Sequence, residues 1–142
     1  MTKPAPGNYV IVSRVLSCNG QKLAITFCKK GGAVTLTPLT HRQEQIWTIS
    51  DYSDGQTQYV IPKKDDDLQI AIGGKVAVTL PAGEYVWTIR RGQDGVCIAT
   101  GDRTLNWGIE RGVVNEKICV TKDKGDPRFR WCLEKVRSSD SY

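Results

Sequence analysis

The residues best suited to chemistry lie in the segment LPAGEYVWTI, from Leu80 to Ile89. A Pro81-Ala82-Gly83 turn is followed there by two aromatic residues, Tyr85 and Trp87. Aromatic rings beside turn backbone suit sugar binding, because the C–H face of a sugar stacks on a ring while its hydroxyls meet polar groups. Tyr85 is therefore a candidate ligand contact, and Trp87 is equally compatible with a core position, a ligand contact or both.

A second candidate is the segment FCKKGG, residues 27–32, which places Lys29 and Lys30 at the tip of a predicted hairpin. Lysine is the side chain that an acidic, trypsin-type specificity pocket accepts. The loop could thus inhibit a serine protease, although Lys-Lys-Gly-Gly is also ordinary turn sequence. Protease inhibition is the alternative to sugar binding.

Signals for an enzyme are weak, and the sequence predicts none. His41 is the one histidine, and no nucleophile elbow, metalloprotease motif or phosphate-binding glycine loop occurs. The acidic run 65–67 lacks the glycine and the closing glutamate of a calcium loop. We therefore expect no catalytic residue, no metal and no cofactor.

Composition restricts partner and compartment. The 20 Lys and Arg residues outnumber the 15 Asp and Glu residues, but they are scattered, so nucleic acid is not an expected partner. No stretch approaches the roughly 18 apolar residues of a membrane span, and no signal peptide is recognisable. Five cysteines, an odd number without metal-site spacing, indicate unpaired thiols in a reducing compartment. We expect a cytoplasmic protein.

Repetition dominates the sequence. Similar Trp-containing strands occur at 45–49, 84–89 and 129–133, at nearly equal intervals. Each closes a predicted unit of four short strands, with units at about 8–50, 51–91 and 92–137 and a tail at 138–142. Three units that each bury too little apolar surface must close around one axis, which predicts an all-β fold, a β-trefoil of twelve strands.

Alternation along the strands predicts which tryptophans form the core. Trp47, Trp107 and Trp131 are expected there. In the strand 84–89, alternation places Tyr85, Trp87 and Ile89 on one face.

The triplet Gln45-Ile46-Trp47 and its two relatives resemble the QxW motif of ricin-B-type lectins. The segments 6–17, 22–26, 80–89, 104–107 and 130–136 are most similar to small mushroom β-trefoil lectins that bind α1,3-fucosylated chitobiose. The resemblance implies a non-enzymatic, cytoplasmic fungal defence lectin. It also implies a partner glycan that contains GlcNAc, with or without fucose.

The resemblance further implies one binding site, in the second unit. By similarity this site comprises Tyr52, Ile72, Leu80, Glu84, Tyr85, Val86 and Trp87. Two of these depart from the family pattern, because Glu84 stands in place of an asparagine and Ile72 in place of a tryptophan.

Overall fold

The computed structural model describes residues 2–136, which contain twelve β-strands. The strands are β1 Gly7–Ser13, β2 Leu23–Thr26, β3 Thr35–Pro38, β4 Trp47–Asp51, β5 Gln58–Pro62, β6 Leu68–Gly73, β7 Val76–Pro81, β8 Trp87–Gly92, β9 Gly95–Thr100, β10 Asn106–Gly108, β11 Cys119–Thr121 and β12 Trp131–Lys135. Two single-turn 3₁₀ helices, Gln43–Gln45 and Pro127–Phe129, precede β4 and β12. In this part of the chain no helix is long and apolar enough to cross a membrane.

Six strands close into a barrel through antiparallel pairs. The order around the barrel is β1, β4, β5, β8, β9 and β12, and β12 pairs again with β1. Closure leaves the barrel without a free edge strand. The remaining strands form three hairpins, β2–β3, β6–β7 and β10–β11.

The hairpins cap one end of the barrel and contact one another. Single backbone pairings join Ala33 to Val78, Thr35 to Lys117 and Val76 to Cys119, so each hairpin touches both of the others. A six-stranded barrel capped by three hairpins is a β-trefoil, and the predicted fold is confirmed.

The core repeats the same tryptophan contact three times. The indole nitrogens of Trp47, Trp87 and Trp131 donate to the carbonyls of Ile25, Ile70 and Trp107, at 3.0, 2.9 and 3.2 Å. In each unit the donor begins the fourth strand and the acceptor lies in the second strand. Such an acceptor stabilises a buried indole, since an unpaired buried donor is costly. The core positions predicted for Trp47, Trp107 and Trp131 are confirmed, because all three side chains are fully buried.

Strand β8 differs from the sequence prediction. It begins at Trp87 rather than at residue 84, and residues 82–86 form an irregular loop. The prediction that Tyr85 shares a face with Trp87 and Ile89 is therefore wrong, because alternation does not extend into a loop. Trp87 and Ile89 are buried, whereas Tyr85 is exposed.

Candidate functional site

The three units differ at the position two residues before the repeated core tryptophan (Trp47, Trp87 or Trp131). Gln45 and Phe129 occupy that position in the first and third units, where each ends a 3₁₀ helix and is buried. In the second unit the position is Tyr85, which lies in the loop 82–86 and is 38% exposed. Only there does this position present an aromatic ring to solvent.

Local packing explains why the other two units bury this residue. Phe129 lies against Gly108, where a Cβ atom would come within 2.2 Å of the phenyl ring, so the ring occupies the space that a side chain would need. Gln45 is held by a buried hydrogen-bond network: its Oε1 accepts from the backbone N–H groups of Thr40 and His41 at 2.8 and 3.1 Å. Its amide nitrogen donates to the carbonyl of Pro38 at 2.9 Å.

In the second unit another glutamine supplies the corresponding amide. Gln69 of β6 is buried, and its Oε1 accepts from the backbone N–H groups of Gly83 and Tyr85 at 3.2 and 3.3 Å. The N–H of Ala82 donates to the carbonyl of Asp67 at 2.9 Å. Hydrogen bonds to Gln69 thus hold the backbone of the loop 82–86. The side chain of Tyr85 is not needed to hold the loop, and it remains exposed.

The exposed ring of Tyr85 rests on its own loop. A Cβ atom at Gly83 would lie 3.1 Å from Cε2 of Tyr85, so the glycine lies directly beneath the ring edge. This contact limits the orientations of the exposed ring. A partly fixed aromatic face is suited to stacking, because less rotamer freedom is lost on binding.

Glu84 connects the loop 82–86 to the turn after β4. Its carboxylate lies beside the phenol of Tyr52 and raises the pKa of that phenol, first through its negative charge and further by desolvation and a hydrogen bond from the hydroxyl. The Tyr52 ring meets Tyr59 edge to face, with centroids 5.6 Å apart and an interplanar angle of 85°. This contact orients the Tyr52 ring and its hydroxyl. The backbone N–H of Tyr52 donates to the carbonyl of Thr57 at 2.9 Å.

Other predicted site residues lie around or beneath this group. Trp87 is only 3% exposed, and its indole nitrogen is occupied by Ile70, so the structure places it in the core beneath the site. Val86 is half-buried, and a Cβ atom at Gly101 would meet its Cγ2 at 3.8 Å. Leu80 is half-buried at the end of β7, where it pairs with Gln69.

Ile72 is not brought together with Leu80. It is 42% exposed near the tip of the β6–β7 hairpin, where it pairs with Ala77, whereas Leu80 pairs with Gln69. Side chains alternate between the faces of a hairpin, so Ile72 and Leu80 lie on opposite faces. We therefore leave Ile72 out of the candidate site.

Two residues of this arrangement were not predicted from the sequence. Tyr59 lies in a predicted strand, and its alternation with Gln58 and Val60 could have indicated an outward ring. Gln69 interrupts the apolar sequence LQIAI, and a polar residue in an otherwise buried strand signals a hydrogen-bonding role.

The alternative loop has two exposed lysines, and the backbone carbonyl of one of them is engaged. Lys29 and Lys30 are exposed, as predicted. The carbonyl of Lys29 accepts from the N–H of Gly32 at 3.0 Å and from the hydroxyl of Thr79 at 2.9 Å. A residue that enters a protease pocket must offer this carbonyl to the oxyanion hole, and here it is already engaged.

Nothing in the described part of the chain resembles a metal centre or a disulfide framework. Within residues 2–136 no three His, Cys, Asp or Glu side chains gather closely enough to hold a metal ion. All five cysteines carry free thiols, and those of Cys18 and Cys28 are exposed. Burial raises the pKa of the Cys97 thiol, which lowers its reactivity at neutral pH.

Comparison with known proteins identifies the family. The profile of the CCL2-like family, which is described as CCL2 lectin-like, matches residues 7–131. The chain belongs to the CCL2-like lectin family. No curated protein sequence matches this CCL2-like chain closely enough to count as a relative.

Solved structures share the fold of this CCL2-like lectin at low identity. The ricin B-like lectin of Macrolepiota procera, in complex with lactose, has a TM-score of 0.71 and 12% identity, over 95% of this chain and 100% of that one. The C-half of the earthworm R-type lectin, in complex with GalNAc, has a TM-score of 0.70 and 19% identity, over 92% of this chain and 100% of that one.

A larger protein contains a domain of the same shape. A mosquitocidal holotoxin has a TM-score of 0.84 and 13% identity, over 99% of this chain but 18% of the toxin. This CCL2-like chain thus spans a small part of the holotoxin, and the likeness concerns the fold alone.

Proposed function

We propose that this CCL2-like chain is a non-enzymatic lectin that binds a GlcNAc-containing glycan, with or without fucose, through one site in the second unit. The site comprises Tyr52, Glu84 and Tyr85, with Leu80 and Val86 at its margin and Trp87 beneath it. The carrying observation is the exposure of Tyr85 at a position that is buried in the other two units.

The chemistry of the group fits a sugar. The outward face of Tyr85 can stack on the C–H face of a pyranose ring. Glu84 accepts hydrogen bonds from hydroxyl groups, and bonds to a carboxylate are stronger than those between neutral groups. The Tyr52 hydroxyl lies beside that carboxylate.

Similar proteins support the ligand class. The family is a lectin family, and two structural neighbours were solved with lactose and GalNAc. The choice of GlcNAc and fucose rests on the resemblance of residues 80–87 to mushroom lectins that bind fucosylated chitobiose. A fungal source, a cytoplasmic location and a defence role come from the same resemblance and belong to the proposal.

Glycan titration followed by amide NMR tests the location. We expect shifts on residues 80–87 and near Tyr52. Tyr85→Ala should weaken binding about tenfold or more, since it removes the stacking face. Because that ring is partly exposed, its loss should cost only about 1 kcal/mol of stability.

The matched control is Leu16→Ala, which truncates an exposed apolar side chain in the first unit, where Leu16 is 52% exposed. This variant should bind as the unaltered chain does. Shifts centred on the first or third unit, with residues 80–87 unchanged, would show that the site lies elsewhere.

A further inference from the structure

Glu84 is an exposed carboxylate at the centre of the loop 82–86. Among residues 2–136 no lysine, arginine or histidine nitrogen lies within 4.0 Å of it, while Asp51 nearby pairs with Lys3 at 3.3 Å. The neutral phenol of Tyr52 lies beside Glu84. Its negative charge is therefore available to a ligand.

Two cations that contact the neighbouring turn 51–57, Lys3 and Arg90, already have partners. Lys3 donates to the carbonyl of Gly55 at 3.1 Å as well as pairing with Asp51. The guanidinium of Arg90 donates to the carbonyls of Ile89 and Gln56 at 2.8 and 2.9 Å. Neither is free to neutralise Glu84, and the raised pKa of Tyr52 reflects a negative charge that the phenol experiences.

A carboxylate that lies beside the Tyr52 phenol, on the loop that also carries the exposed ring of Tyr85, is suited to an ammonium group. The carboxylate supplies charge and a strong acceptor, and a phenol face attracts a cation. A neutral hydroxyl can use the acceptor but gains neither the full charge nor the ring contribution. An N-acetyl group removes the cation altogether.

We propose that this site, if it is the sugar site assigned above, prefers glycans whose amino sugars carry a free, protonated amine over their counterparts with a hydroxyl at the same carbon. Glu84 is the residue that sets the preference. The chain as a whole has a net charge of +5, so it repels a cationic ligand at long range. A preference for the amine must therefore arise locally.

Three β-1,4-linked tetrasaccharides test this, because they differ at carbon 2 alone: a glucosamine tetramer with the amine, chitotetraose with the acetamide and cellotetraose with the hydroxyl. Calorimetric titration at pH 6 and low salt should give about fivefold tighter binding of the glucosamine tetramer than of cellotetraose. In Glu84→Gln, which keeps the size and an acceptor for Tyr52, the ratio should fall to about one. Asp66→Asn, which removes an exposed carboxylate elsewhere, should keep it.

Each outcome is decisive. Equal binding of the amine and hydroxyl tetramers, or a preference that persists in Glu84→Gln, overturns the preference for the amine. NMR shifts on residues 80–87 with any of the glycans would still support the proposed site. Absence of such shifts with the three tetrasaccharides and with fucosylated chitobiose overturns both the site and the preference.

Discussion

Replacing Gln69 by methionine should separate binding from stability. Its Oε1 is the acceptor for the N–H groups of Gly83 and Tyr85, at 3.2 and 3.3 Å. Methionine has nearly the same length and fills the same space without the acceptor. Both freed N–H groups belong to exposed residues, so water can reach them. Each bond is then worth at most about 1 kcal/mol, and we expect a loss of about 1–2 kcal/mol, or about 3–8 °C in melting temperature.

The effect on glycan binding should be the larger one. Without the Gln69 acceptor, the loop 82–86 must be ordered when the ligand binds, at a cost of about 1 kcal/mol for each residue fixed. We expect affinity to fall at least about tenfold. The assay is glycan titration together with a thermal melt on the same sample.

Gln45→Met is the matched control, because it removes the same amide from the first unit. Gln45 is fully buried and makes four contacts of 2.8–3.1 Å, to Thr40, His41, Thr37 and Pro38. Its loss should cost about 3–4 kcal/mol while glycan affinity at the remaining native site stays unchanged. The reasoning is refuted if Gln69→Met binds normally, or if Gln45→Met lowers affinity as much.

Three further predictions concern the rest of the molecule. Hydrogen bonds from Thr100 and Thr104 hold the pKa of Asp102 at about 2, below its ordinary value. The stability that the ionised Asp102 contributes is therefore present above about pH 4 and is lost as the pH falls toward 2. In thermal melts across that range, the melting temperature of Asp102→Asn should fall less steeply than that of the unaltered chain. Thiol titration of the unfolded, unreduced protein should count five reactive groups, and a count of three would mean that a disulfide had formed. Lys29 should not inhibit trypsin at micromolar concentrations of the chain, because its carbonyl is engaged; inhibition that Lys29→Ala alone abolishes would contradict this.

The fold could be predicted because its signals are local and repeated. Short alternating segments, turn residues and three evenly spaced Trp strands each constrain the same architecture, and errors at single boundaries do not change it. The boundaries themselves were less predictable. Gln43–Gln45 and Pro127–Phe129 form 3₁₀ turns in which the last side chain is buried, and strand alternation does not reveal the tertiary contacts of Gln45 and Phe129.

The candidate site was predictable only in part, because its geometry depends on residues far apart in sequence. Residues 80–87 could be singled out from their aromatic and turn content. The exposure of Tyr85 could not, since alternation predicts the same face for Tyr85 and Trp87. It follows instead from Gln69, 16 positions earlier, which takes the loop backbone and leaves the ring outside. The residue pattern by itself does not show that Glu84 meets Tyr52 across two different strand connections, and only the family resemblance places both in one site.

The departure from symmetry itself links fold to function. Each unit must fix the segment that leads into its core tryptophan, and two units do so with the side chain two residues before it, Gln45 or Phe129. In the second unit the buried amide of Gln69 performs this role from the neighbouring hairpin. The aromatic residue at the equivalent position is thereby released from the core without loss of the tryptophan contact, since Trp87 still donates to Ile70 at 2.9 Å. A ring that stability does not require can face a ligand, and this is why a nearly symmetric scaffold presents one candidate site where the symmetry fails.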